Sequence, residues 1–108
     1  MKWTVETLNA TVDEELAALP ADMRARLVRI STLIETLGLE HVKEPHIKHL
    51  EGRLWEMRIR GKDGISRAIY VTAWQRRVVI LRAFVKKTQK TPRKDIEIAR
   101  ERAREVHE

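Results

Sequence analysis

Cysteine is absent from the 108-residue chain, which removes disulfides and thiolate metal sites and is compatible with a reducing cytosol. No apolar run approaches the ~20 residues that cross a bilayer. The N-terminus also lacks the charged, apolar, small-residue order of a signal peptide. A soluble, cytoplasmic protein without a membrane partner is therefore expected. There are only four glycines and three prolines, with no Gly-rich phosphate loop, linker, low-complexity tract or repeat. The two serines, Ser31 and Ser66, stand in no catalytic-triad context, and without cysteine there is no Cys-His pair. The length holds one domain, residues 1–108, with no room for a second core.

What the chain does have is positive charge, unevenly placed. Residues 1–52 carry 6 Lys/Arg against 9 Asp/Glu, and residues 91–108 carry 5 against 5. Residues 53–90 carry 11 against 2, so the whole excess of +6 arises in the middle of the chain. A field concentrated in this way attracts polyanions, nucleic acid first among them, although basic strands also serve to solvate the open face of a sheet.

The periodicity predicts the order β-α-α-β-β-β-α. Residues 2–8 read as a short strand. Thr11 and Glu14 have capping-box spacing ahead of a helix over about 12–18. Pro20 suits a first helical position, and Met23, Leu27, Ile30, Ile34 and Leu37 recur along one helix face up to a C-terminal cap at Gly38. Residues 39–52 show no period and read as loop. "LWEMRIR" alternates, with Trp55, Met57 and Ile59 on one face and Leu54, Glu56, Arg58 and Arg60 on the other. "ISRAIYVTA" and "RVVILRAF" are β-branched runs joined through "WQR". Thr91 and Pro92 then open a helix whose apolar stripe is Ile96, Ala99, Ala103 and Val106. The class is α+β: a small antiparallel sheet with an N-terminal helical hairpin and a C-terminal helix packed on it.

Several side chains stand out against that frame. Arg58 and Arg60 alternate on one strand, roughly 7 Å apart on one face, a spacing that lets two guanidiniums straddle successive phosphates. Arg67 shares its phase with Ile65, Ile69 and Val71, so an ideal strand drives it onto an apolar face. The alternative role for such an arginine is a salt bridge to a helix carboxylate. "FVKKTQKTP" then sends the last strand into a cluster of lysines before a proline starts the helix. His41, His46 and His49 match no common metal spacing, so neither a metal nor another cofactor is expected.

The ordered blocks "LWEMR", "SRAIY" and "FVKKTQKTP", within residues 49–102, resemble the HigB-type branch of the RelE/ParE superfamily of toxins from type II toxin–antitoxin pairs. The resemblance implies a toxin partnered by a cognate helix-turn-helix antitoxin, acting on the ribosome and messenger RNA as a metal-independent endoribonuclease. Its catalytic positions fall on Arg58, Arg60, Arg67 and Lys87, and its RNA contacts on Arg82, Lys86, Gln89 and Lys90. Several relatives carry a tyrosine or histidine where this chain has Thr91 and Pro92, which leaves the general acid and base unassigned. Tyr70 is a candidate, with a core tyrosine as the plainer reading. The ParE branch shares the fold but poisons DNA gyrase without cutting, and a remnant that only binds RNA or a partner is a further alternative.

Overall fold

Asn9, two residues ahead of the expected Thr11, opens the first helix. Its backbone is extended, and its side-chain oxygen accepts a hydrogen bond from the Val12 amide, which satisfies one of the donors a helix start leaves open. The computed structural model describes residues 2–42, 46–86 and 90–107. In chain order these form β1 (Thr4–Thr7), α1 (Ala10–Ala17), α2 (Ala21–Leu37), β2 (Ile47–Glu51), β3 (Leu54–Gly61), β4 (Gly64–Ala73), β5 (Arg77–Lys86) and α3 (Arg93–Ala103). A single 3₁₀ turn follows α2 at Leu39–His41.

The α+β class and the two helical groups are as expected, while the sheet has one more strand. Its order is β1-β5-β4-β3-β2. Strands β2 to β5 form an antiparallel meander, and β1 lies parallel to β5 with Thr4 opposite Arg77 and Thr7 opposite Ile80. The segment read as loop contains β2. It is an edge strand, with Lys48 and His49 exposed, and charge on an edge strand blunts aggregation while erasing the alternation that marks a strand.

Both faces of the sheet are covered. On one face Met23, Leu27, Ile30 and Ile34 of α2 and Val12 of α1 pack against Met57, Ile59, Tyr70 and Ile80. Leu37 completes the sequence stripe but is exposed, because α2 ends there. On the other face Ala99 and Ala103 of α3, with Val106, pack against Leu54, Ile69, Val71 and Leu81. The small alanines bring α3 close to the sheet, and Arg53 fastens its end by donating to the Val106 carbonyl at 3.2 Å, where the helix dipole favours a cation.

β1 accompanies only the first four residues of β5. Beyond it, the Glu15 carboxylate of α1 accepts the Ala83 amide at 3.1 Å and ion-pairs with Arg82 at 2.7 Å and Arg102 at 2.9 Å. These contacts hold the Glu15 carboxyl below the ordinary glutamate range although its burial opposes them. One carboxylate thereby joins α1, β5 and α3.

Candidate active site

The meander sets three short rows of side chains across the α3 face. Antiparallel register puts Glu56 opposite Ile69, which lies opposite Arg82. The next row is Arg58, Arg67 and Phe84, and the third is Arg60, Ile65 and Lys86. Like charges directly opposite on adjacent strands are destabilising, so the Arg58–Arg67 pair needs a counter-charge. Glu56 supplies it.

The carboxylate of Glu56 is fully buried. Arg58 Nε donates to its Oε2 at 2.5 Å, and the Thr91 hydroxyl donates to its Oε1 at 2.5 Å. Thr91 Oγ1 in turn accepts from Arg67 Nη1 at 3.0 Å. A hydroxyl both donates and accepts, so Thr91 relays between cation and carboxylate. The result is a hydrogen-bonded chain from Arg58 through Glu56 and Thr91 to Arg67, in which Arg67 is 0% exposed and the Arg58 side chain 19% exposed. Burial pulls the Arg67 guanidinium below its ordinary value, the Arg58 charge acts in the same direction, and Glu56 opposes both. An arginine stays protonated under such pressure, which makes this a fixed positive charge under low-dielectric cover.

The expected site residues fall into three groups. Arg58 and Arg67 are brought together by register, with the exposed Arg60 and Lys86 one row further along. Arg82 is committed to structure instead: its Nε donates to Asp95 at 3.0 Å and its Nη1 to Glu15 at 2.7 Å, which ties α1 and α3 to β5. Lys90 is exposed just before α3, and Lys87 and Gln89 lie outside the described residues. Tyr70 belongs to the core of the opposite face, where burial pushes its hydroxyl up. It is therefore no proton-transfer group for the Arg58–Arg67 row. His49 bonds the Gly52 carbonyl at 2.8 Å and tilts onto Trp55 with ring centres 4.7 Å apart.

Two residues central to this arrangement escaped the sequence reading. Glu56 was legible only as a residue sharing a strand face with Leu54, Arg58 and Arg60, since nothing local shows that the face is covered. Thr91 was legible only as a helix start. Pro92 is the N-cap and makes no side-chain capping bond, while the Thr91 hydroxyl is given to Glu56. The available signal was the phase of Glu56, shared with Leu54 on the face that the alanine stripe of α3 has to cover.

The sequence of residues 14–104 matches the family model described as phage derived protein Gp49-like. The chain belongs to that family. No curated protein matches it. Among solved structures, a chain from the crystal structure of the archaeal RelE-RelB complex of Pyrococcus horikoshii OT3 superimposes with a TM-score of 0.58 at 23% identity, covering 83% of this chain and 100% of that one. At that identity the likeness establishes a shared fold, the α+β sheet with helices on both faces described above.

Proposed function

We propose that this protein is the toxin of a type II toxin–antitoxin pair, a HigB-like endoribonuclease that cuts messenger RNA on the ribosome. The observation that carries the reading is the Arg58–Arg67 row, built around one buried carboxylate and flanked by Arg60 and Lys86. A structural protein gains little from two arginines set against each other on adjacent strands. A phosphoryl-transfer site gains a preorganised positive field. Membership of the Gp49-like family and the fold shared with a chain of a RelE-RelB complex support the same class, and that complex makes an antitoxin the natural partner.

The reaction is a transesterification. The RNA 2′-oxygen attacks the adjacent phosphorus, the bond to the 5′-oxygen breaks, and the proton lost by the 2′-hydroxyl is balanced by one gained at the leaving oxygen. The products are a 2′,3′-cyclic phosphate and a 5′-hydroxyl. Negative charge accumulates on the phosphoryl oxygens, where Arg58 and Arg60 meet it. Complete burial changes the expected part of Arg67. It acts as a positioning residue, holding Thr91 and Glu56 so that Glu56 fixes the Arg58 guanidinium. Lys86 lies in the row beside Arg60, and the family resemblance implies a catalytic part for Lys87.

Primer extension on cells expressing the protein tests the proposal. Breaks at A-site codons, lost in the Arg58→Ala variant, are the expected result. Intact transcripts with accumulated gyrase–DNA breaks would instead establish the ParE-like activity.

A further inference from the structure

A cleft of about 650 Å³ runs between α2 and the β2–β3 edge of the sheet. Arg26 and Arg29 line it from α2, Lys48 from β2, and Arg58 and Arg60 from β3. No carboxylate among the described residues lines it. Among the described residues, Arg26, Arg29, Lys48 and Arg60 make no ion pair. The floor is apolar, formed by Ile30, Leu33 and Ile59. Five arginines elsewhere, Arg77, Arg82, Arg93, Arg100 and Arg102, have carboxylate partners. Cations left uncompensated around an apolar floor repel one another and have no structural return, so they point to an anionic ligand.

Two features identify that ligand. Arg58 and Arg60 line this cleft and also belong to adjacent rows of the candidate site, so an occupant of one continues into the other. An apolar floor beneath a cationic rim suits a polymer with charge along its backbone and flat apolar faces on its side groups. We infer that the cleft binds the single-stranded RNA flanking the scissile phosphate, with Arg26 and Arg29 on its phosphates and a base against Ile30 and Leu33. This rests on the endoribonuclease reading and extends it. The protein holds a track of several nucleotides that turns around β3, beyond the one phosphate it attacks.

The test uses a fluorescently labelled 2′-O-methyl 12-mer, which lacks the attacking hydroxyl and stays intact. Anisotropy titrations across a salt series compare the wild type with the double variant Arg26→Gln/Arg29→Gln, both changes lying on exposed positions. The expected result is a loss of about five- to tenfold in affinity near 0.1 M salt, with the log–log salt slope reduced by about 1.4 for two phosphates. An unchanged affinity and slope, in a variant pair that still arrests growth, would overturn the cleft assignment and leave the endoribonuclease reading standing. Failure of the wild type to bind the oligomer at low salt would overturn the cleft assignment, while the primer-extension result decides the endoribonuclease reading separately. A variant that keeps its RNA affinity but loses binding to a polyglutamate 12-mer would make the cleft a docking site for an acidic peptide.

Discussion

Removing the charge of Glu56 separates a structural relay from a loose cluster of surface cations. Glu56→Gln keeps the volume and one carbonyl acceptor but withdraws the negative charge between Arg58 and Arg67, which face each other across β3 and β4. Two charge-assisted hydrogen bonds, from Arg58 and from Thr91, weaken together, and each contributes about 1.5–3 kcal/mol when one partner is ionised. Arg67 remains fully buried and loses the carboxylate charge of the relay. Breaking a buried pair in this way costs about 3–5 kcal/mol. For a domain of this size the loss corresponds to a fall of about 12–20 °C in Tm. The assay is thermal and urea unfolding of the wild type, Glu56→Gln, Arg67→Met and the double variant. Arg67→Met removes the buried charge that faces Arg58 at similar volume, so the double variant should be more stable than the two single losses predict, by at least about 2 kcal/mol of coupling. A fall of under about 1 kcal/mol in Glu56→Gln, or additive losses, would refute the relay.

Three further outcomes follow from the fold. The carboxyl of Glu15 is held low by Ala83, Arg82 and Arg102, so its contribution is present above about pH 4.3 and is lost as pH falls through its lower folded value. Acid unfolding curves of Glu15→Gln should accordingly be flatter below that point than those of the wild type. A Cβ on Gly61 would lie 2.6 Å from Met23 Cγ and 2.7 Å from Asp22 Oδ2, so Gly61→Ala should destabilise by about 1–3 kcal/mol in urea titration, with the α2–β3 contact disturbed. Gln75 and Arg76 sit at φ of 65° and 56° in the β4–β5 turn, where a side chain is strained. Gln75→Gly should therefore raise stability by about 0.5 kcal/mol, read as a higher urea midpoint at unchanged slope.

Legibility in the sequence followed the range of the interactions. The helix face of Met23, Leu27, Ile30 and Ile34 and the hairpin of β4 and β5 are decided by local period, and both stand where the residues indicate. β2 was hidden because two of its five side chains, the adjacent Lys48 and His49, are exposed and polar, so its pairing with β3 is a matter of sheet context rather than residue type. The helix start at Asn9 was displaced from Thr11 because two good caps compete within three residues. At the candidate site the arginines were visible as anomalies of charge and phase, Arg67 above all. Their arrangement was not visible: Glu56 becomes a buried counter-ion only once α3 lies over it. Thr91 reaches it from 35 residues away. Arg82 shows the converse, a basic residue in a basic segment whose partners, Glu15 and Asp95, come from two other elements.

The parallel pairing of β1 with β5 has a consequence for the order in which this chain takes shape. Thr4 is made well before its partner Arg77, which lies 73 residues further on. Until β5 is made, β1 has no edge to join, and the apolar faces of α1 and α2 have only part of their sheet. Contacts this distant are the ones that slow folding and leave a nascent chain exposed. The relay is later still, since Thr91 follows β5 and closes onto Glu56 only after the sheet beneath it exists. A chain cut short before residue 91 would retain Arg58, Arg60 and Arg67 but would lack the hydroxyl that links Arg67 to Glu56. The positive field is encoded by residue 67, while its organisation waits for the last helix.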